Sequence, residues 1–279
     1  MQNNIMLVDL GGMFYRLYYR FEKTDLNILD EMKKSFIEEI IFLKKRYYIN
    51  KIFIGGEGTR KTNWRLDIYS DYKSNRNVEI TPENEKKMEN LKSTKAEFYQ
   101  WVNHLEKFNL HIISEDRCEG DDILASIILN KKTDDMFYIM SDDKDFQQLI
   151  KIDNVMQISL REFQPLVKNE YADLRCHIAI GDTSDGIPNI KRGYGEKKIT
   201  ALIEKGEFDS FIQTNNLTEA YERNRKLIDM TLIPRAYQDS ITQKFNEKYN
   251  LKKSINIVEI SEELYKLGIT TISPMEFIK

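Results

Sequence analysis

Short apolar runs in this chain alternate with longer segments in which apolar residues recur at helical spacing. Five runs predict strands, over residues 5–9, 51–55, 110–113, 136–140 and 153–158. The spacing predicts helices between them, over residues 30–47, 119–130 and 144–150. Strands that alternate with helices favour a parallel sheet. We therefore predict an α/β fold, with a central, mostly parallel sheet flanked by helices.

The pattern becomes helical after about residue 168. Helices are predicted over residues 170–181, 195–205, 207–214, 217–229 and 234–248, followed by a strand at 255–258 and a helix at 261–267. Within 62–107 the chain is mostly polar, and Pro82 marks the start of a long helix. We predict two parts, an α/β domain over 1–168 and a helical part over 169–279.

Composition agrees with a large folded domain. The chain has 279 residues, of which 41% are hydrophobic, and this suits one large α/β domain with an appended helical part. Its two cysteines, Cys118 and Cys176, form neither a metal-ligand pattern nor a disulfide framework, and free thiols in a reducing cytoplasm are expected. No secretory signal or membrane-spanning run is recognisable, so we expect a cytoplasmic protein without a membrane partner.

Carboxylates follow the predicted strands. They are Asp9, Glu57, Glu119, Asp121, Asp122, Asp143 and Asp145. Ligands of open α/β sheets bind outside the carboxyl ends of the strands, so these acids should converge there. Like charges that are close together require cations to stay ionised. Mg²⁺ or Mn²⁺ is the expected partner, because the chain lacks the cysteine and histidine set that zinc would need.

Each acidic motif also has an ordinary structural interpretation. Asp143 can simply cap the following helix, since aspartate is favoured at that position. Glu119 and its neighbours can complement a helix dipole, and they converge on one site only if Glu119 lies on the loop before the helix. Asp182 and Asp185 stand in a segment rich in turn-forming residues. The residues alone leave these alternatives open.

A glycine hairpin follows the acidic turn at 181–188. Its candidate phosphate-binding residues are Lys191, Arg192, Gly193, Gly195, Lys197 and Lys198. Exposed backbone N–H groups at such a hairpin and helix start suit a phosphate. The net charge of −3 argues against nucleic acid only at first sight, because local basic patches decide binding.

Taken together, the motifs resemble the 5′-nuclease superfamily. They are Asp9, Glu119-x-Asp121-Asp122, Ser141-x-Asp143-x-Asp145, Gly181-Asp182-x-x-Asp185-x-Ile187-Pro188 and Gly193-x-Gly195-x-Lys197. The order and spacing match over roughly residues 5–205, and the short chain is most similar to bacteriophage RNase H and flap endonucleases. The resemblance implies a PIN-like 5′-nuclease sheet, a helical arch at about 62–107, and a helix–three-turn–helix whose glycine hairpin spans 186–200.

The same resemblance implies roles for single residues. A first Mg²⁺ would be held mainly by Asp9, Glu57, Glu119, Asp121 and Asp143, and a second by Asp145, Asp182 and Asp185, with Asp143 as a candidate bridge and Asp122 in support. Mn²⁺ is expected to be able to replace Mg²⁺, and K⁺ is a candidate at the glycine hairpin. Tyr72-Lys73-x-x-Arg76 resembles the motif at the base of the arch, where Lys73 and Arg76 would contact the scissile phosphate, and Arg16 stands where the family often has a basic residue. Glu57 departs from the family, which usually places aspartate at this distance before Trp64-Arg65.

The implied activity is metal-dependent 5′–3′ exonuclease and flap endonuclease cleavage during DNA replication. Lys73, Arg76, Asp9, Glu119, Asp121 and Asp143 would be catalytic, and Tyr72 and the hairpin would bind DNA. Expected partners are branched duplex DNA, 5′ flaps and RNA–DNA primers, with single-strand-binding protein, clamp and polymerase as further candidates, and a monomer is expected. Two alternatives remain: a PIN-like ribonuclease, and a branched-DNA-binding accessory protein with little or no turnover.

Overall fold

The computed structural model describes residues 2–24, 26–58, 62–76, 81–166, 173–251 and 256–278. Its centre is a five-stranded parallel sheet in the order β3-β2-β1-β4-β5. The strands are β1 (Asn4–Asp9), β2 (Lys51–Gly55), β3 (Leu110–Ile113), β4 (Met136–Met140) and β5 (Val155–Ile158). All five predicted strands are present, so the prediction of a mostly parallel α/β sheet is confirmed.

The register of the sheet brings the ends of its middle strands together. Asp9 at the end of β1 pairs with Gly55 of β2, and Val8 pairs with Met140 of β4. The residues that follow these strands therefore leave the same edge of the sheet. Because strands buried on both faces are continuous apolar runs, the sequence specifies this centre strongly.

Ten α-helices are present in the described part of the chain. They are α1 (Leu10–Phe21), α2 (Ile28–Arg46), α3 (Pro82–His104), α4 (Gly120–Leu129), α5 (Leu174–Ile180), α6 (Glu196–Glu204), α7 (Phe208–Thr214), α8 (Thr218–Ile228), α9 (Arg235–Tyr249) and α10 (Ile257–Lys266). Helices α1, α2, α3 and α10 share one hydrophobic core with one face of the sheet. Helices α4 and α9 pack on the opposite face.

Helices α5 to α8 enclose a smaller hydrophobic core of their own. It includes Cys176, Ile199 and Phe208. A further cluster, with Tyr72, Ile187 and Leu227, connects it to the segment before α3. The residues after 230, in contrast, pack on the two faces of the main sheet.

Two predicted elements differ from the structure, and one helix of the structure was not predicted. Helix α1 was not predicted; Asp9 both ends β1 and caps the helix, so no turn separates them, and Gly11 and Gly12 lower the helical signal. Residues 144–148 form a 3-10 helix rather than an α-helix over 144–150. The strand predicted at 255–258 is wrong where the structure describes it, because Asn256 caps α10 and Ile260 and Leu264 are buried on one helical face. Residue 255 lies outside the described residues.

The predicted arch falls only partly within the described residues. Short 3-10 helices cover Trp64–Asp67 and Ser74–Arg76, and α3 begins at Pro82 as predicted. Residues 77–80 lie outside the described part. Among the described helices, none combines the length and the apolar character needed to cross a bilayer.

Candidate active site

A cleft of about 700 Å³ opens at the carboxyl edge of the sheet. Eight of the nine acidic residues predicted as metal ligands line it: Asp9, Glu57, Glu119, Asp121, Asp143, Asp145, Asp182 and Asp185. Lys73 and Arg76 line the same cleft. The structure therefore brings together acids that are up to 176 residues apart in the sequence, counting from Asp9 to Asp185.

Asp9 belongs to the acidic wall, which is formed by the eight carboxylates that line the cleft. Its carboxylate accepts a hydrogen bond from the backbone N–H of Gly12 at 3.0 Å and from the hydroxyl of Ser141 at 2.7 Å. Burial raises the pKa of Asp9 to about 6, although both hydrogen bonds lower it, and the charges of Asp143 and Glu57 raise it further. A bound cation would offset the free-energy cost of ionising this carboxyl group.

Glu119 lies on the loop before α4, which is the position required for it to converge with Asp121. Its carboxylate accepts hydrogen bonds from Lys73 Nζ at 2.6 Å and from the Tyr72 hydroxyl at 2.7 Å. Burial alone would raise the pKa of Glu119, but Lys73 and Arg65 outweigh it and lower the pKa to about 2. Burial and the neighbouring charges of Asp122 and Glu119 instead raise the pKa of Asp121 well above its ordinary value.

Asp122 lies behind this wall and not on it. Arg65 donates to both of its oxygens, at 2.8 and 2.9 Å, and Trp64 Nε1 donates at 3.1 Å. Asp122 is only 1% exposed. Its oxygens are engaged by protein donors, so it holds Arg65 and the start of α4, where the backbone N–H of Glu119 also donates to Oδ2 at 2.9 Å.

Glu57 reaches the cleft from the loop after β2. Lys95, on α3, donates to its Oε2 at 2.6 Å, and the Lys95 ammonium also lies 5.0 Å from the centre of the Tyr99 ring. Gly11 lies beside the other oxygen. The glutamate therefore occupies the position predicted from the sequence, although Lys95 and Gly11 were not recognised as its neighbours.

Asp143 and Asp145 follow β4. Asp143 accepts from the backbone N–H of Asp145 at 2.9 Å, so the capping interpretation and the placement in the cleft both apply. Burial, and then the charge of Asp143, raise the pKa of Asp145 to about 7, although His177 lowers it. Ser141, which belongs to the same motif, holds both Asp9 and the backbone N–H of Asp143.

The acidic turn after α5 closes the cleft. Asp182 accepts from the backbone and hydroxyl of Ser184 at 2.8 and 2.7 Å. Burial opposes ionisation of Asp182, but hydrogen bonds from His177 and Ser184 lower its pKa below its ordinary value. Asp185 accepts from the Tyr72 hydroxyl at 3.1 Å and pairs with Arg76 Nη2 at 2.5 Å.

His177 is the site residue that sequence reasoning missed. It lies on α5 with its ring between Asp145 and Asp182. Its position five residues before Asp182 was the available signal, but a single histidine in an apolar helix is ordinarily a core residue. Arg16 also lines the cleft, where it forms an ion pair with Glu39 of α2.

The glycine hairpin lies at the start of α6. Gly193 has a φ of 82°, a conformation that favours glycine, and no atom lies within 4 Å of a side chain built at Gly193 or Gly195. Lys198 Nζ donates to the carbonyl of Gly193 at 2.8 Å, and Lys191 donates to Asn215. Arg192 and Lys197 are exposed. Since Lys198 is exposed as well, the hairpin offers an open backbone and three exposed cations.

The cleft fits divalent cations. Its lining supplies many carboxylate oxygens, the ligands that Mg²⁺ and Mn²⁺ prefer. Burial is the main cause of the raised pKa values of Asp9 and Asp145, and the charge of Asp143 raises both further, so a bound cation would make it easier to ionise these acids. Asp145, His177 and Asp182 each place one ligand atom within 4.8 Å of the others.

Comparison with known proteins identifies the family. Residues 4–174 match the family described as "5′-3′ exonuclease, N-terminal resolvase-like domain". The chain belongs to this family and is a metal-dependent 5′-nuclease, as the motifs had predicted. A 5′-3′ exonuclease of Mycoplasmopsis pulmonis is 29% identical over 236 residues, which cover 78% of this chain and 73% of that protein.

Two solved structures have a similar fold. The 5′-exonuclease of bacteriophage T5 with bound zinc has a TM-score of 0.69 and is 21% identical, over 88% of this chain and 98% of that one. A flap endonuclease of bacteriophage T5, in a pseudo-enzyme-product complex with DNA and metal ions, has a TM-score of 0.67 and is 19% identical, over 89% of this chain and all of that one. At these identities the likeness describes the fold.

Proposed function

We propose that the protein cleaves phosphodiester bonds at 5′ flaps, nicks and RNA primers in branched duplex DNA, as a replication nuclease. One observation carries this proposal: eight carboxylates from five separate segments line the same cleft as Lys73 and Arg76. A site that only bound DNA would gain nothing from so many negative charges, since they repel phosphates. The acids are useful when cations neutralise them next to the phosphate.

The metal centre that we propose contains two Mg²⁺ ions, for which Mn²⁺ can substitute. Asp9, Glu57, Glu119, Asp121 and Asp143 would hold the first ion, and Asp145, Asp182 and Asp185 the second, with Asp143 between them. Divalent cations in such a centre activate water and stabilise the leaving oxygen. K⁺ at the glycine hairpin remains a prediction.

The protein's own residues would position the phosphate. The ammonium of Lys73 is 2.6 Å from Glu119 and 3.5 Å from Asp185, so it stands where the two groups of acids meet. Lys73 is buried and its backbone φ is 55°, a conformation held by the hydrogen bond from its N–H to the carbonyl of Asp185. A lysine fixed this firmly is preorganised to stabilise charge that develops on the phosphate.

Binding to duplex DNA would use the backbone of the hairpin. Arg192, Lys197 and the open glycines would contact phosphates and would not read bases, so recognition would depend on structure and on salt. Tyr72 would act indirectly, since its hydroxyl bridges Glu119 and Asp185. A monomer acting in the cytoplasm, recruited by a polymerase, clamp or single-strand-binding protein, is the setting that we propose.

A cleavage assay tests the function. A 5′-labelled flap duplex would be incubated with the protein in Mg²⁺, beside an EDTA control and the variant Asp143→Ala. Asp142→Asn is the matched control: Asp142 also lines the cleft, but its carboxylate accepts hydrogen bonds from Ser159 at 2.7 Å and from the backbone N–H of Leu160 at 3.2 Å. We expect cutting near the junction that disappears in EDTA and in Asp143→Ala and persists in Asp142→Asn.

The outcomes separate the proposed function from its alternatives. Tight flap binding without cutting, in Mg²⁺ and in Mn²⁺, would indicate a DNA-binding accessory protein. Cutting of single-stranded RNA with no preference for branched DNA would indicate a PIN-like ribonuclease. Either result would overturn the proposal.

A further inference from the structure

The imidazole of His177 lies between two carboxylates of the cleft. Its Nδ1 is 3.7 Å from Asp145 Oδ1, and its Nε2 is 3.7 Å from Asp182 Oδ2. His177 is 4% exposed and is fixed on α5, whose buried neighbours Cys176 and Ile178 pack into the small cores. Both ring nitrogens therefore face the acids of the cleft, and a neutral imidazole nitrogen is a common metal ligand.

The surrounding hydrogen bonds turn one oxygen of each acid toward the ring. Ser184 occupies Asp182 Oδ1 with two hydrogen bonds, so Oδ2 faces His177 and, at 3.9 Å, the ammonium of Lys144. Asp145 Oδ1 is buried, and no hydrogen bond reaches it from the described residues. One ligand atom from each of the three side chains lies within 4.8 Å of the other two. The arrangement therefore includes a nitrogen donor in addition to the oxygens.

We propose that His177 is a nitrogen ligand of the cation held by Asp145 and Asp182, and that it shifts this site toward Mn²⁺ and Zn²⁺ relative to Mg²⁺. The inference rests on the metal centre proposed above and adds a ligand to it. Imidazole favours transition metals, whereas Mg²⁺ prefers sites made of oxygen atoms alone. The second ring nitrogen would then donate to the carboxylate on its side, as metal-binding histidines commonly do.

A simpler role makes a different prediction. The imidazole could hold Asp145 and Asp182 at their spacing through hydrogen bonds and never touch the cation. In that case removal of His177 would weaken the binding of Mg²⁺ and Mn²⁺ by the same factor. A direct ligand would change the Mn²⁺ affinity much more than the Mg²⁺ affinity.

Pulsed electron paramagnetic resonance with Mn²⁺ tests for the ligand directly. The full-length protein would be loaded with less than one equivalent of Mn²⁺, in the absence of DNA, and echo modulation from nitrogen would be recorded. The chain has three histidines, so selective labelling with ¹⁵N-histidine identifies an imidazole ligand without any substitution. We expect nitrogen modulation that changes frequency with the label.

Two variants assign the signal to its residue. His177→Gln should abolish the labelled modulation, whereas His104→Gln should keep it, because His104 is exposed at the end of α3. Calorimetric titrations should show that His177→Gln weakens Mn²⁺ binding by about tenfold or more while the Mg²⁺ affinity changes by less than about threefold.

The results separate this inference from the proposed function. Flap cleavage in Mg²⁺ together with bound Mn²⁺ that shows no histidine nitrogen would overturn the inference and leave the function in place. Nitrogen coupling in a protein that cuts no DNA would support the ligand and overturn the function. Failure to bind Mn²⁺ at all would overturn the inference as well.

Discussion

Gly11 faces Glu57 so closely that a Cβ atom at Gly11 would lie 2.5 Å from Glu57 Oε1. The glutamate has little freedom to move aside, because Lys95 holds its other oxygen at 2.6 Å. The absence of a side chain at Gly11 thus makes room for a glutamate at the position where aspartate is usual in this family. The two residues form a matched pair.

We expect Gly11→Ala to lower flap cleavage by about tenfold and Gly11→Ala/Glu57→Asp to recover most of that loss. Aspartate is one methylene shorter and would relieve the contact. Gly11 is helical, so alanine should also stabilise α1 by a few tenths of a kcal/mol to about 1 kcal/mol. A loss of activity in this variant would therefore not result from unfolding. Single-turnover cleavage and thermal unfolding of the unsubstituted protein, Gly11→Ala, Glu57→Asp and the double variant would check this.

Gly12 provides the matched control for this pair. A Cβ atom there would lie 2.6 Å from Asp9 Oδ2 and does not approach Glu57. Gly12→Ala should therefore lose activity that Glu57→Asp cannot restore. Equal rescue at both glycines would contradict the pairing.

The ion pair of Arg65 and Asp122 should be essential for folding stability. Removing one partner of a buried pair leaves an uncompensated charge, so Asp122→Ala should lower the free energy of unfolding by about 3–5 kcal/mol. Asp239→Ala, which breaks the exposed pair with Arg235, should change it by less than about 1 kcal/mol. Urea unfolding measures both. A small effect at Asp122 would show that Arg65 finds solvent or another partner.

Without metal, the stability of the protein should fall as the pH rises from about 4.5 to 7.5. Burial raises the pKa of Asp9 from 3.8 to about 6 and that of Asp145 from 3.8 to about 7. In this range the folded state retains protons that the unfolded chain has lost. The contribution of these two groups to the free energy of unfolding is therefore full below about pH 4, and it is lost as the pH rises through their pKa values in the folded state. The lowered pKa of Glu119, about 2, acts with the opposite sign and only below about pH 4.5.

Urea unfolding in EDTA across this pH range tests the effect, which should be on the order of 1–3 kcal/mol. Asp9→Asn should flatten the profile, since it removes one titrating group. Addition of Mg²⁺ should raise stability most at the alkaline end, where the carboxylates are ionised. A stability that increases with pH in EDTA would disprove the assignment.

The hairpin should contribute salt-dependent affinity for duplex DNA. Arg192→Ala and Lys197→Ala should each weaken binding and reduce the slope of log K against log[salt] by about 1. Lys132→Ala is the control, because Lys132 is exposed on the loop before β4, at the opposite edge of the sheet from the cleft. Fluorescence anisotropy with labelled duplexes of several different sequences should show the same loss of affinity for every sequence. An unchanged slope would mean that the hairpin does not meet the phosphates.

The pattern of apolar runs and acidic residues was enough to predict the sheet and most of the acidic wall. Continuous apolar runs such as 136–140 can be buried only as central strands, and the parallel order that follows brings Asp9, Asp143 and Glu119 to the same edge. The helix α1 was not recognised because Gly11 and Gly12 weaken its local signal. The segment at 257–258 was misassigned because β-branched residues favour strands until tertiary packing selects a helical face.

Which side chains meet could not be predicted, because it depends on how the elements pack together. Asp122 and Asp121 are adjacent in sequence, yet one pairs with Arg65 behind the wall and the other lines the cleft, because successive residues of a helix point in different directions. His177, Lys95 and Gly11 approach the acids from separate elements, and the position of His177 five residues before Asp182 is a weak local signal that does not distinguish a ligand from a core residue. Contacts between distant segments depend on tertiary packing, and the spacing of residues along the chain does not specify that packing.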